Sequence, residues 1–586
     1  MESDKTNQPV LYKLFPFLSW LKGYQLSVLR GDALAGLTVA VVLIPQSMAY
    51  AMLAGMPPIY GLYAATLAPL IGAMWGSLRQ LATGPIAIMS LLVLTTLSPI
   101  AEPGSAKFIE LAILLSLMVG VIYLCIGLVK LGEIMSFISH SAVKGFTAAA
   151  ALIIIATQLP HFIGIQVSRH EYIFPQLLEI ITTLPQLHWP TLAVGAVAFV
   201  IIYGLKRIRP NFPSSIVALV LTTVAVAVLD LDQKGVAIVG ATPSGLPLPH
   251  LVQLDFEVIS SLIGPAVVIA FVSFAETYSI GKAISSETKQ RLDVNQEFVG
   301  QGLANIIGSF FQAFPVSGSF SRTAINYSAG AKTGVASAIS SIAVVLALLF
   351  FTPLLTYIPK ATLAALVISA VWLLFNPKGV FKLWKMNRDD GIVAITVFVI
   401  SLLAKPDYAL LLGVMMSLIF FLWKTMHPRI VRISKDTQYN FFGDADLFDL
   451  PLCPQILHLR SDNLIFFANA DYTIEQIIEK LDDFATVPKF VMLDLQAMAF
   501  IDITGVEELR VLMDEAKARG VQVAFMGLHR PVLEVFESSG FLAEIEPDLL
   551  IKYRGDAITV LFDRIDHDYC RDKCPHSIYF ECATVK

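Results

Sequence analysis

Phe314-Pro315-Val316-Ser317-Gly318-Ser319-Phe320-Ser321-Arg322-Thr323-Ala324-Ile325-Asn326 interrupts a chain made largely of long apolar stretches. Glycine, serine and proline break the run, and a guanidinium follows them at the start of a short helical segment. A lone arginine at membrane depth costs at least about 2.5–3.5 kcal/mol on the insertion scale, so it needs a partner or water. The first half holds a counterpart, Gly76-Ser77-Leu78-Arg79-Gln80-Leu81-Ala82-Thr83-Gly84-Pro85. Both segments run from a strand-like stretch, through Gly or Ser, into a short helix. Paired interrupted segments in two halves of a membrane protein point to a transporter's binding site. Helix N-termini at such a break present unsatisfied N–H groups and a partial positive charge, which favours an anion.

Working outward, the bulk composition supports a membrane setting. Of 586 residues 56% are hydrophobic and only 15% charged, with a mean hydropathy of +0.69. A soluble chain carries roughly 25% charged residues, so most of this surface does not face water. Candidate spans lie near 34–52, 57–76, 84–100, 109–129, 142–160, 190–206, 214–230, 258–281, 294–312, 321–331, 334–353, 358–375, 390–404 and 407–425. That is fourteen, an even count that puts both termini on one side. Lys206, Arg207 and Arg209 follow the sixth span, Lys282, Lys289 and Arg291 the eighth, Lys382, Lys385 and Arg388 the twelfth, and Lys424, Arg429 and Arg432 the fourteenth. All four clusters fall on the N-terminal side, which the positive-inside bias makes cytoplasmic. Residues 1–30, with Lys5, Lys13, Lys22 and Arg30 but no cleavable signal pattern, are expected to form a cytoplasmic arm, and residues 31–432 a transmembrane domain in the lipid bilayer of the inner or plasma membrane.

The same numbers exclude other classes. A net charge of -5 provides no basic field for nucleic acid. Five cysteines without an extracellular pairing pattern fit a reducing cytosol. No P-loop is present, as an ATP-driven pump would need, and no catalytic constellation, so the chain reads as neither pump nor enzyme and calls for no cofactor.

Three polar features inside the apolar body are candidates for function. Pro45-Gln46-Ser47-Met48-Ala49-Tyr50 breaks the first span, and Gln46 and Tyr50, four apart, share a helix face. They either line a substrate cavity or bond neighbouring helices around a kink. Glu276 stands in the apolar run 262–280, where a carboxyl can exchange a proton between aqueous sides as its surroundings alternate. A sodium site would want more oxygens than Thr277 and Ser279 supply. Arg322 either pairs with a carboxylate such as Glu276, locking the bundle, or serves as counter-charge for an anion that Ser319 and Ser321 help to hold.

After residue 432 charges become frequent and apolar runs shrink to strand length, at 464–467, 490–495 and 521–527, with helical patterns at 473–484 and 505–518. Alternating short strands and helices make residues 433–565 a small α/β domain. The last stretch, 566–586, carries Cys570, Cys574 and Cys582 with His567 and His576 nearby. Cys570, Cys574, His576 and Cys582 are candidate metal ligands, although their spacing matches no standard finger and a terminal tail need hold no fixed structure.

Pro57-Pro58-Ile59-Tyr60-Gly61-Leu62-Tyr63-Ala64-Ala65, followed by the 76–85 segment, resembles the signature of the sulfate permease (SulP) family of anion transporters, with Leu78 where a serine is usual before Arg79. The likeness extends over nearly the whole chain. Val491-Met492-Leu493-Asp494 and Phe500-Ile501-Asp502-Ile503-Thr504-Gly505 resemble the STAS domain found at the C-terminus of such transporters. The resemblance implies a multi-span α-helical protein of two inverted seven-span repeats, its third and tenth half-helices facing one another across the substrate, with a cytoplasmic STAS domain and a homodimeric assembly. It implies a secondary transporter working by alternating access. The site would comprise Gln46, Tyr50, Gly84, Pro85, Ile86, Ala87, Ser319, Ser321, Arg322 and Thr323, and Glu276 would handle the coupling ion, a proton before sodium. Sulfate is the expected substrate. Bicarbonate with sodium, exchange or channel-like conduction of chloride, oxalate or dicarboxylates, and a membrane sensor using the C-terminal domain are the alternatives. Thr504 lies where the soluble relatives of STAS carry a phosphorylatable serine, although Asp502 and Thr504 also suit simple helix capping.

Overall fold

A backbone in hydrocarbon must satisfy its own N–H and C=O groups, so the apolar runs become helices. The computed structural model describes residues 15–21, 24–168, 170, 172–208, 213–240, 245–372, 374–404, 406–436, 441–551 and 554–585. Lys5, Lys13, Lys22 and Arg209, used above to orient the chain, lie outside them. The first half comprises α1 (Leu26–Leu53), α2 (Ile59–Trp75), β1 (Thr83–Gly84), α3 (Ala87–Leu97), α4 (Ala106–Val129), α5 (His140–Ile163), α6 (Ile173–Thr183), α7 (Trp189–Ile208) and α8 (Ser214–Val228). The second comprises α9 (Phe256–Thr288), α10 (Val294–Ser309), β2 (Ser317–Gly318), α11 (Phe320–Ser328), α12 (Val335–Phe350), α13 (Lys360–Val371), α14 (Pro377–Met386), α15 (Arg388–Leu403) and α16 (Pro406–Met426).

The two halves repeat one another element for element, and their packing shows it. α4 lies along α10 as α12 lies along α2, α12 meets α1 as α4 meets α9, and α5 meets α15 as α13 meets α7. The third and tenth spans are each a two-residue strand leading into a half-helix. An unforeseen element also repeats: α6 follows α5, and α14 follows α13. Both are short amphipathic helices whose polar faces kept them out of the span assignment, and such helices suit the membrane interface. Lys382 and Lys385 sit on α14 rather than in a loop.

One close approach explains the Tyr-Gly-Leu-Tyr segment. Gly61 of α2 packs on the backbone of α1 so tightly that a Cβ there would lie 1.9 Å from the Ser47 carbonyl oxygen. Ser47 follows Pro45 and Gln46, and the missing proline N–H leaves the Val41 carbonyl without its helical donor. The α2 glycine thus fixes the polar stretch of α1 against its neighbour.

The chain divides into two compact units, Met1–Ser417 and Leu418–Lys586. The break falls within α16, ahead of the residue 432 boundary read from composition. In the second unit a six-stranded sheet has the order β4-β3-β5-β6-β7-β8, with β3 (Ile430–Asp436), β4 (Phe441–Asp444), β5 (Ile456–Ser461), β6 (Phe490–Asp494), β7 (Gln522–Met526) and β8 (Leu550–Ile551). β5 to β8 are parallel, and β3 is antiparallel to both its neighbours. α17 (Ala470–Asp482) and α18 (Ile503–Ala518) are two of the helices that accompany it. The strand expected at 464–467 is a correction. The ladder strand is β5, and the apolar run after it turns, with Phe466 N donating to Asn469 Oδ1 and Phe467 N to Asp502 Oδ2, each at 2.9 Å. Only Ile465 of that run is fully buried, whereas Phe467 is 75% exposed. β5 went unread because His458 and Arg460 disguise it. The segment after 565 packs against this domain: Cys570, Ile578, Tyr579 and Cys582 share its core with Leu457, Phe490 and Leu561.

Candidate functional site

β1 and β2 pair antiparallel, Thr83 with Gly318 and Gly84 with Ser317, so the breaks in the two halves meet at one point. Strands this short cannot hold themselves, and side chains complete the pairing. The Ser319 N–H donates to the Ala82 carbonyl at 2.9 Å, and Thr323 Oγ1 accepts from Ala82 N at 3.0 Å. Thr277 Oγ1 lies 2.7 Å from Ser317 Oγ and accepts from Gly318 N at 3.1 Å. From α10, Asn305 acts as a third strand: its Oδ1 accepts from Val316 N and its Nδ2 donates to Val316 O, both at 2.9 Å. Gln301, one turn earlier, donates to Thr83 Oγ1 at 2.8 Å.

Asn305→Leu leaves the buried Val316 N–H and C=O without these partners, at about 1–3 kcal/mol for each buried group left unsatisfied. A lower melting temperature, read by size-exclusion chromatography after heating in detergent, is the expected result, together with loss of transport.

Beyond the crossing, α3 starts after Ile86 and α11 after Ser319, whose side chain accepts from the Arg322 N–H at 3.5 Å. First-turn N–H groups have no partner within their own helix. A cavity of about 290 Å³ opens at this junction. Six of the expected site residues line it, Gln46, Tyr50, Ile86, Ala87, Ser319 and Ser321, and so does Glu276. Gly84, Pro85, Arg322 and Thr323 are buried and do not line it. The wall also includes Val42, Ile88, Phe320 and Ile325, and, from α7, α8 and α13, Phe199, Tyr203, Lys206, Ser214, Ser215 and Ser369. The sequence reading missed all of these. Isolated serines in apolar helices carry no signal of their own, and packing alone decides which of them face the cavity.

Arg322 is 0% exposed. None of its three guanidinium nitrogens has a hydrogen-bond partner in the protein, and neither has Oε2 of Glu276. The direct pair between these residues, one of the two alternatives for Arg322, is therefore not formed. Each lies within electrostatic reach of the other and of Tyr50. Gly84 makes room for the arginine: its φ is +151°, and a Cβ there would come 3.1 Å from Arg322 Nη2. The arrangement is a buried positive charge near two helix N-termini, with hydroxyls and an amide lining the cavity, and it can hold an anion.

In the second unit, Asp502 is the N-cap of α18, accepting from Gly505 N at 2.8 Å, and Thr504 is an exposed residue of the first turn rather than the cap. Cys570 and Cys582 are buried, with Cys574 and His576 half-buried. As the side chains stand, among the described residues no three His, Cys, Asp or Glu form a group that could hold a metal ion.

Comparison with known proteins identifies the family. The family model described as the sulfate permease family matches residues 29–397, and that of the STAS domain matches residues 448–554. A chloroplastic sulfate transporter 4.1 of Arabidopsis thaliana is 33% identical over 584 residues, covering 96% of this chain and 84% of its own. A probable sulfate transporter of Mycobacterium tuberculosis is 33% identical over 541 residues, covering 91% of this chain and 95% of its own. The structure of SLC26A9 superposes with a TM-score of 0.86 at 22% identity, covering 97% of this chain and 96% of that one. The transmembrane domain of a cyanobacterial bicarbonate transporter, BicA, gives 0.58 at 21% identity, covering 67% of this chain and 98% of that one. With two half-helices starting from one strand pair in a repeated helical body, and a STAS domain following along the chain, this protein belongs to the sulfate permease family of multi-pass membrane transporters.

Proposed function

We propose that this protein takes up a small inorganic anion, sulfate first, together with a proton, by alternating access. One observation carries the reading: the buried Arg322 guanidinium, without a hydrogen-bond partner in the protein, lies within electrostatic reach of Tyr50 and Glu276, which line a cavity flanked by two helix N-termini. The anion sits before Ile86, Ala87, Ser319 and Ser321, with Gln46 and Tyr50 on its flank, and Arg322 acts through its field. The sulfate transporters of Arabidopsis thaliana and Mycobacterium tuberculosis among the relatives favour sulfate. The half carrying β1, α3, β2 and α11 then moves against α5–α8 and α13–α16.

Glu276 is the coupling group of this proposal. It shares the cavity wall, and its carboxyl and the arginine act on the same space. Carrying negative charge against a negative-inside potential costs about 2.3 kcal/mol per charge per 100 mV, which inward proton movement offsets. In this reading both termini and the STAS domain are cytoplasmic, and the protein works as a homodimer.

The test is uptake of labelled sulfate into proteoliposomes with and without an inward proton gradient. Wild type is expected to accumulate sulfate above equilibrium only with the gradient, and Glu276→Gln to equilibrate without accumulating. Undiminished accumulation in the variant sinks the coupling role. Absence of sulfate uptake by folded protein under either condition sinks the substrate.

A further inference from the structure

We propose that Cys453, Cys570, Cys574 and Cys582 form a zinc site that staples the C-terminal segment to the STAS domain. These are four of the five cysteines in the chain, and all four line one cavity in the second unit. The fifth, Cys125, lies exposed on α4. Three of the thiols come from the last seventeen residues, and the other from the loop before β5, more than one hundred positions earlier. A convergence of thiols from distant segments is what a structural zinc site requires, and sequence spacing alone could not reveal it.

Size and lining select the occupant. The cavity holds about 10 Å³, roughly the room of one water-sized sphere. That suits a single ion. Around the thiols the walls are mostly apolar, from Phe562, Ile565, Ile578 and Tyr579, with His576 beside them. Soft thiolates in such a setting select zinc over hard cations, which want oxygen ligands.

In their present rotamers two of the thiols are engaged elsewhere. Cys570 Sγ accepts from Gln455 Nε2 at 3.2 Å, and Cys574 Sγ donates to the His576 carbonyl at 3.4 Å. Metal binding turns the four thiols inward, releases their protons to solvent and leaves a tetrahedral tetrathiolate. The gain is local. The segment has only a six-residue helix, His567–Asp572, and a five-residue 3-10 turn, Phe580–Thr584. Elements this short do not stand unaided, and a metal cross-link supplies what their core lacks.

The experiment uses the full-length protein, purified in detergent without chelator and without a histidine tag, and measures zinc by mass spectrometry. Wild type and Cys125→Ser are expected to carry roughly one zinc per chain, and Cys453→Ser and Cys574→Ser less than about a fifth of that. Because a serine variant can fail to fold, the wild-type protein is also loaded with cobalt. Thiolate charge-transfer bands together with the strong visible bands of a tetrahedral site are the expected signature. Wild type that binds neither metal, with its four thiols free or joined as disulfides in the intact mass, overturns the proposal. So does zinc retained in full by both serine variants.

Discussion

Arg322→Gln is expected to lower sulfate uptake by roughly 30-fold or more while leaving the protein folded. Truncating one partner of a buried charge pair costs about 2–5 kcal/mol, which is roughly 30-fold to several thousandfold in binding. The upper part of that range applies where no other protein group takes over the charge. Here the guanidinium is fully buried, its nitrogens have no hydrogen-bond partner in the protein, and the anion is the partner the proposed mechanism provides. Glutamine keeps polarity and part of the length but brings no charge. Arg322→Lys restores charge without the planar fork, and is expected to recover part of the activity if the field matters more than geometry. Radiolabelled uptake and a direct binding titration for both variants decide this. Wild-type affinity in Arg322→Gln removes the arginine from the anion site, and recovery by lysine assigns it an electrostatic role.

Gly61→Ala is expected to be the most damaging small substitution in the membrane unit. Its Cβ would lie 1.9 Å from the Ser47 oxygen, 2.4 Å from the Ser47 carbonyl carbon and 2.9 Å from Met48 N, all backbone atoms that cannot rotate away. Overpacking of this kind costs about 1–3 kcal/mol even where side chains can yield. With a helix backbone as obstacle, α1 must move relative to α2 and carry Gln46 and Tyr50 with it. The expected result is a melting temperature well below wild type in detergent, with uptake reduced in whatever fraction remains folded. Gly264→Ala is the control, since a Cβ there meets nothing within 4 Å and alanine favours the helix. Equal stability of the two variants would refute the close-packing argument.

Much of this protein is legible from its sequence, for a physical reason that differs by feature. Apolar runs in a chain with 15% charged residues leave the backbone no option but helix, so the membrane body and its two breaks follow from hydropathy. The Gly–Ser–Arg pattern at 317–322 and its counterpart at 83–85 marked the site because polar groups in hydrocarbon are costly. Glu276 stood out on the same ground. What hydropathy cannot show is facing, since a helix that is apolar all round carries no period to read. Tertiary structure alone brought Thr83 opposite Gly318, turned Ser215 and Ser369 toward the cavity, and left the buried Arg322 out of its lining. It alone repeated the amphipathic α6 as α14, whose polar faces lower the local hydropathy below that of a span. In the STAS domain it placed Cys453 among the tail thiols, because contacts across more than one hundred residues come from sheet topology and leave no local trace. Composition determined where the chain meets the membrane, and packing decided which of its few polar groups meet each other.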